Sequence, residues 1–231
     1  MGLRDDLSSE VKEIFRAPWS TTKKIVVPDP ADIGLGNDAG HFSSATILYA
    51  DLDGSTAMVD SRNWYFSAEV YKTFLHCSAK IIKSEGGVIT AYDGDRIMAV
   101  FVGDTKNTSA VRSGLQINYA VSQIINPALA AQYPNANFSV KHVVGIDTSE
   151  IHAARIGVRG NNDLVWVGRA PNYAAKLTSL PDYALWITDT VYDSMNNSVR
   201  VAQGGANIWE QRLWIAMNNL TVYRTNGWLS F

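Results

Sequence analysis

The order of strand-like and helix-like segments constrains the fold of this chain more than any other feature. A short apolar run at 45–52 reads as a buried strand, and residues 64–84 carry apolar side chains three and four positions apart, as in a helix. Two further apolar runs flank an Asp-Gly-Asp turn at 93–95, which is typical of a hairpin. A helical stretch at 107–125 and an alternating strand at 138–146 follow. The order predicts a ferredoxin-like βαββαβ core in an α+β fold, with both helices on one face of the sheet.

Further elements are predicted on both sides of this core. Prolines and glycines interrupt residues 1–43, so we expect a loop-rich N-terminal arm with a short helix over 5–15. Residues 44–231 would form one domain that ends in extra α/β elements. For that part we expect strands at 151–157, 164–167 and 184–188, helices at 170–179 and from Asp189, and one or two strands between Ile208 and Arg224.

Composition and charge exclude several classes of protein. Hydrophobic residues make up 46% of the 231 residues and charged residues 18%, which is ordinary for a globular chain. The net charge of −2 argues against nucleic acid binding through bulk charge. A single cysteine, Cys77, excludes a disulfide framework. The sequence contains neither an apolar run of transmembrane length nor the apolar core of a signal peptide, so we expect a cytoplasmic protein without a membrane partner.

Two carboxylates are predicted to meet at one edge of the sheet. The right-handed crossover makes the first two core strands parallel and places the third between them. The end of the first strand, at Asp51, therefore lies at the same edge as the hairpin turn that holds Asp95. Close carboxylates repel unless a cation lies between them, and oxygen ligands select Mg²⁺ or Mn²⁺. The spacing indicates a site for two divalent cations, but a solvated strand end and an ordinary turn aspartate explain it equally well.

The loop after Asp51 is a candidate phosphate-binding segment. Asp53, Gly54, Ser55 and Thr56 lead toward a helix, so their backbone N–H groups would point at phosphate oxygens. Asp53 is also a candidate third carboxylate near the metals, although a solvated loop position explains it better.

Four motifs resemble, in the right order, the signatures of class III nucleotidyl cyclases. They are Ile47–Thr56, Gly94–Phe101, Val144–Thr148 and Gly168–Leu177. The resemblance implies that residues 44–231 form the cyclase catalytic domain, whose core has the ferredoxin-like order described above. It also implies the reaction, in which the ribose 3′-oxygen attacks the α-phosphate to give a 3′,5′-cyclic monophosphate and pyrophosphate.

The same resemblance implies the roles of individual residues. Asp51 and Asp95 would bind two divalent cations, Mn²⁺ or Mg²⁺, and the backbone carbonyl of Leu52 would complete one metal site. Asn172 would orient the ribose, and Lys176 would stabilise charge on the α-phosphate. In this family both would reach the metals from the second subunit of a head-to-tail homodimer with composite active sites.

The chain departs from the family at the positions that contact the nucleotide base. Adenylyl cyclases contact adenine through a lysine and through an aspartate or threonine, and Ala91 and Val165 occupy these positions. Lys176 replaces the transition-state arginine, and Arg169 replaces an aspartate, which would add a cation near the site. Stand-alone cyclases with such a pocket resemble the pyrimidine cyclases of bacterial antiphage defence. The expected substrate is therefore UTP, and the cyclic nucleotide would act on a separate effector.

Three alternatives stay open. They are a CTP cyclase, a purine cyclase with an unfamiliar base pocket, and a catalytically silent nucleotide-binding domain.

A few other side chains are candidate contacts of the substrate. Tyr49 lies on the same strand face as Asp51 and would contact the ribose or base. A role as a packed core aromatic explains it equally well. Tyr92 would line the base pocket or simply pack. Arg96 follows the second aspartate, is expected to project to the opposite face, and is a candidate phosphate contact. Arg212 is a weak candidate for pyrophosphate binding, and His142 is expected in the core.

Overall fold

A mixed sheet organises the fold. Within residues 2–231, which the computed structural model describes, the sheet has nine strands. They are β1 (Ser20–Lys23), β2 (Asp38–Asp53), β3 (Val88–Asp93), β4 (Arg96–Phe101), β5 (Lys141–Val158), β6 (Asn161–Gly168), β7 (Leu185–Thr188), β8 (Glu210–Trp214) and β9 (Leu220–Thr225). The α-helices are α1 (Leu3–Arg16), α2 (Ser55–Ser61), α3 (Trp64–Ser84), α4 (Lys106–Tyr119), α5 (Asn126–Gln132), α6 (Arg169–Leu177) and α7 (Asp189–Ser194).

The strand order confirms the predicted ferredoxin-like core. The sheet runs β3-β4-β2-β5-β7-β9-β8, while β1 pairs with β2 and β6 pairs with β5. Because β4 is antiparallel to both β2 and β3, these two strands are parallel with β4 between them. The C-terminal end of β2 and the β3–β4 turn therefore lie at the same edge of the sheet, as the sequence predicts.

The two faces of the sheet are covered differently. Buried side chains of α3 and α4, such as Phe74 and Leu115, form one core cluster with Leu48 and Ile146 of the sheet. On the opposite face, α6 packs over a second cluster that includes Ile47. Burial of these apolar faces supplies the main stabilisation of the fold.

Gly145 sets the distance between α6 and the sheet. A Cβ atom at this position would lie 2.1 Å from the backbone oxygen of Ala174 on α6. Only glycine therefore allows the helix to approach β5 this closely. This contact fixes the height at which α6 holds its exposed side chains above the sheet.

Several predicted elements differ from the structure in their bounds. The two strands expected at 138–146 and 151–157 are a single strand, β5, which pairs with β2, β6 and β7 in turn. It begins at Lys141 because the backbone N–H of Val140 donates to Asn126 Oδ1 at 2.7 Å instead of to a strand. The helix expected at 107–125 continues as a π-helical turn over Ala120–Ile125 and then as α5.

The N-terminal arm is attached through the sheet. Its helix α1 covers the predicted 5–15, and β1 pairs in parallel with the beginning of β2. The strand β2 itself begins at Asp38, before the predicted domain start at residue 44. None of the helices in the described part of the chain, residues 2–231, has the length and apolar character that crossing a membrane requires.

Candidate active site

Asp51 and Asp95 lie at one edge of the sheet, as predicted. Asp51 is near the end of β2, and Asp95 lies in the turn between β3 and β4. Burial raises the pKa of Asp51, the hydrogen bond and charge of Arg96 lower it, and the nearby charge of Asp95 raises it. The two carboxylates are therefore close enough to repel each other electrostatically.

Arg96 neutralises Asp51 in this structure. Its Nε and Nη2 atoms both donate to Asp51 Oδ2, at 3.0 and 2.7 Å. The register explains the pair, because Ala50 lies opposite Ile97 and the next residues on each strand are Asp51 and Arg96. The guanidinium also lies 5.9 Å from the ring centre of Tyr49, within the range of a cation–π contact. Arg96 was expected on the face opposite Asp95, and its contact with Asp51, which the cross-strand register decides, was not foreseen.

One oxygen of Asp95 has no partner. Among residues 2–231, Asp95 Oδ2 is buried and accepts no hydrogen bond. A buried carboxylate oxygen without a donor is costly unless a cation approaches it. Asp51, Asp95 and the carbonyl of Leu52 offer the hard oxygen ligands that Mg²⁺ and Mn²⁺ prefer. The residues at this edge therefore fit a divalent cation.

Gly54 shapes the loop after the first aspartate. Its φ of 75° is a left-handed conformation that favours glycine, and the N–H of Met58 donates to its carbonyl oxygen at 3.1 Å. The predicted helix after the loop is present as α2, which begins at Ser55. Asp53 and Ser55 flank Gly54, and Asp53 is exposed. The loop therefore turns sharply beside Asp51, and its role in phosphate binding stays a prediction, for Thr56 as for the others.

Asn172 and Lys176 share the exposed side of α6. Asn172 Nδ2 donates to the carbonyl oxygen of Gly168 at 3.0 Å, and Lys176 Nζ lies 3.8 Å from Met217 Sδ. Neither makes a hydrogen bond or ion pair with Asp51 or Asp95 within the described chain. Both side chains are exposed, and their expected place in a composite site stays a prediction.

Arg169 is paired with a buried acid. Its Nε and Nη2 atoms donate to the two oxygens of Asp147 at 3.0 and 3.1 Å, and Thr188 Oγ1 donates to the same carboxylate at 2.6 Å. Asp147 is completely buried, which raises the pKa of its carboxyl, and Arg169 is its only charged partner among residues 2–231. The sequence predicts that the Arg169 side chain places a positive charge near the substrate. In the structure this side chain pairs with Asp147 of the same subunit. The substrate role of Arg169 stays a prediction.

Of the remaining candidate positions, three are exposed and one, His142, is buried. Tyr92 is 57% exposed and Val165 43% exposed, so neither lines an enclosed pocket within one chain. Arg212 forms an ion pair with Glu210 on β8. His142 is buried, as expected, but its Nε2 atom has no hydrogen-bond partner in the structure from Gly2 onward.

Two known proteins are similar to this chain over nearly their full length. The chain is 50% identical over 227 residues to a uridylate cyclase from Xanthomonas perforans, with 98% of this chain and 97% of that protein covered. It is 51% identical over 229 residues to a uridylate cyclase from Burkholderia cepacia, with 99% of both covered. The chain belongs to the uridylate cyclase family.

Solved structures agree with this family in their fold. An adenylyl cyclase from P. aeruginosa superposes on 81% of the cyclase with a TM-score of 0.65 at 18% identity, covering 95% of that chain. A guanylyl cyclase superposes on 80% of it with a TM-score of 0.66 at 20% identity, covering 93% of that chain. No family model matches the sequence. The expected catalytic fold of class III nucleotidyl cyclases is confirmed.

The ion pair between Arg169 and Asp147 joins two of the four motifs. Asp147 lies in the third motif, Val144–Thr148, and Arg169 in the fourth, Gly168–Leu177. Asp147 was not among the candidate site residues singled out from the sequence, so this contact was not predicted.

Proposed function

We propose that this cyclase converts UTP to 3′,5′-cyclic UMP and pyrophosphate. The main support is that the chain is about 50% identical, over nearly its full length, to two proteins named uridylate cyclase. The carboxylate pair Asp51 and Asp95, in which Asp95 Oδ2 is buried and has no hydrogen-bond partner among residues 2–231, supports a site for the catalytic cations here. The absence of adenine-contacting residue types at Ala91 and Val165 argues against ATP.

In the proposed mechanism, Asp51, Asp95 and the Leu52 carbonyl would hold two divalent cations, Mn²⁺ or Mg²⁺. When bound, these cations would lower the pKa of the ribose 3′-hydroxyl and neutralise the triphosphate. With Asp51 holding a cation, the Arg96 guanidinium would no longer be needed as its neutralising partner. This guanidinium has five donors and no acceptor, so we assign it to a phosphate oxygen of the substrate.

The other substrate contacts come from both subunits of the proposed head-to-tail homodimer. Backbone N–H groups after Gly54, together with Ser55 and Thr56, surround the phosphates, and Tyr49 lies on the metal side of the ribose or base. From the partner copy, Asn172 orients the ribose, and Lys176 stabilises the negative charge that develops on the α-phosphate. The 3′-oxygen forms its bond to the α-phosphorus as the bond to the pyrophosphate oxygen breaks.

The cellular role is a further part of the proposal. The resemblance of the motifs to pyrimidine cyclases of antiphage defence supports a second messenger that a separate effector binds in the cytoplasm. A bacterial strain that expresses the cyclase together with its effector should resist phage, and the same strain with the Asp51→Asn variant should not. Equal resistance of both strains would contradict this role.

The reaction is tested by incubating the purified protein with Mn²⁺ and each of the four ribonucleoside triphosphates, with products identified by mass. We expect cyclic UMP from UTP and little product from the others. Cyclic CMP as the main product would favour the CTP alternative, and cyclic AMP or GMP would favour the purine alternative. No product from any nucleotide would contradict the proposal and favour a silent nucleotide-binding domain.

The carboxylate roles are tested by Asp51→Asn and Asp95→Asn. Each variant keeps the side-chain shape but loses the charge, so turnover should fall by at least about 100-fold. The control is Asp60→Asn, which changes an exposed aspartate on α2. Unchanged turnover in either catalytic variant would contradict the assignment of the metal site.

A further inference from the structure

A second group of metal-ligating side chains lies far from the catalytic edge. His41 of β2 and His152 of β5 are direct partners in the β2–β5 register, and Glu150 is two residues before His152, on the same face of β5. Asp51 follows His41 ten positions later on the same strand, which corresponds to roughly 30 Å at the rise of a β-strand. The group is therefore separate from the carboxylate pair Asp51 and Asp95.

The ligand atoms of the three side chains already converge. His41 Nε2 lies 2.7 Å from Glu150 Oε1, and the rings of His41 and His152 are stacked with centres 4.8 Å apart. One potential ligand atom from each of the three residues lies within 4.8 Å of the other two. Ligands of a tetrahedral zinc ion are about 3.3 Å apart, given bonds of about 2.0–2.1 Å. Modest side-chain rotations would bring all three atoms to that distance.

The surroundings leave the group open to an ion from solvent. The side chains of His41 and Glu150 are 29% and 62% exposed. Lys23 is the partner of His41 in the β1–β2 register, but it forms no ion pair with Glu150 within residues 2–231. Among the described residues, the Glu150 carboxylate is thus contacted by His41 and not by Lys23, so all of its polar contacts lie within the proposed ligand set.

We propose that His41, Glu150 and His152 form a zinc-binding site, with water as the fourth ligand. Two imidazole nitrogens and one carboxylate suit Zn²⁺, whereas Mg²⁺ and Mn²⁺ favour sites made of oxygen ligands. The ion ties the beginning of β2 to β5, next to the irregular register between Phe42 and Ala45 and to the pairing of β1. Its effect is to hold the N-terminal arm and the sheet together.

The proposal is tested by titrating metal-free protein, without a polyhistidine tag or nucleotide, with ZnSO₄ in competition with a chromophoric chelator. The variants are His41→Gln and His152→Gln, and the control is His76→Gln, which changes an exposed histidine on α3. We expect one zinc ion per chain, at least tenfold weaker binding in the two variants, and unchanged binding in the control. Binding that is equally tight in wild type and in a His41→Gln/His152→Gln double variant would overturn the proposal.

Two further measurements make the outcome unambiguous. Zinc should raise the melting temperature of wild type but not of Glu150→Gln, an exposed substitution that removes one charge and leaves the metal-free protein folded. An Asp51→Asn/Asp95→Asn variant should bind zinc as wild type does. Loss of zinc binding in that variant, with retention in the histidine variants, would place the ion at the catalytic carboxylates and overturn the proposal.

Discussion

At the scale of single residues, the ion pair between Arg96 and Asp51 sets the charge at the edge of the sheet where Asp51 and Asp95 lie. The Arg96 guanidinium is about one-third exposed, and the Asp51 carboxylate is mostly buried. The pair holds Asp51 in place in this structure. In the proposed mechanism Arg96 would pair with a phosphate oxygen instead, so the same side chain would act in the free and the substrate-bound enzyme.

We expect Arg96→Ala to raise the KM for UTP and to lower kcat/KM by about 10- to 100-fold, because it removes a charge-assisted phosphate contact. Arg96→Lys should recover part of this loss, since lysine keeps the charge without the planar fork. Steady-state kinetics over a range of UTP concentrations measure both effects. A normal KM in the alanine variant would show that Arg96 does not touch the substrate.

His142 gives the fold a dependence on pH. Burial lowers the pKa of His142 to about 4 from an ordinary value of 6.5. The unfolded chain therefore binds a proton at a higher pH than the native chain does, and stability falls as the pH drops from about 6.5 to about 4. The largest loss from this one group is about 3 kcal/mol, at about 1.4 kcal/mol per pH unit.

We expect His142→Leu to reduce the loss of stability on acidification. Urea denaturation at pH 7 and at pH 5 measures the free energy of unfolding of both proteins. His76→Leu, at an exposed position, should leave the pH dependence as in wild type. An equal pH dependence in His142→Leu and wild type would mean that His142 is not the group responsible.

At the scale of elements, two contacts fix the position of α6 on the sheet. Gly145 lets the helix approach β5, and Arg169 at its first turn is bound to Asp147 on the same strand. Asn172 and Lys176 extend from the exposed side of this anchored helix. A shift of α6 would therefore displace both of these proposed catalytic side chains together.

We expect Arg169→Ala to destabilise the protein by about 3 kcal/mol, because it leaves Asp147 buried without a charged partner. Thermal or urea unfolding measures the loss. Asp147→Asn in the same background should restore part of the stability, because a neutral amide can still accept the hydrogen bond from Thr188. Failure of this second change to restore stability would indicate that Arg169 acts through packing instead of through its charge.

At the scale of the whole molecule, the residues that we propose for catalysis lie on two separate surfaces of one chain. Asp51 and Asp95 lie at the sheet edge, while Asn172 and Lys176 lie on the exposed side of α6. A two-fold dimer would bring each half against the other half of its partner and create two equal sites. Catalysis in this arrangement requires assembly.

This arrangement predicts complementation between inactive variants. Asp51→Asn and Asn172→Ala should each be inactive alone, and a co-expressed mixture should recover about a quarter of wild-type turnover. Random pairing places the two variants together in about half of the dimers, and each such dimer has one intact site of its two. Absence of recovery in verified heterodimers would contradict the composite site.

The amino-acid sequence alone determined the element order, the parallel placement of the first two core strands and the meeting of Asp51 with Asp95. These features follow from local periodicity, turn chemistry and a topological rule, each of which is readable within a short segment. The family motifs added the placement of Asn172 and Lys176 on one helix face. The two strands predicted on either side of residue 150 were wrong, because only pairing with other strands shows that β5 is continuous.

Only the tertiary structure decided which charged side chains meet. The contacts of Arg96 with Asp51, of Arg169 with Asp147, and among His41, Glu150 and His152 all join segments distant in the chain. Each depends on the cross-strand register or on the height of α6 above the sheet, and a shift of one residue would break it. The physical reason is that side-chain pairing acts over a few ångströms, whereas sequence patterns specify only which face a residue occupies.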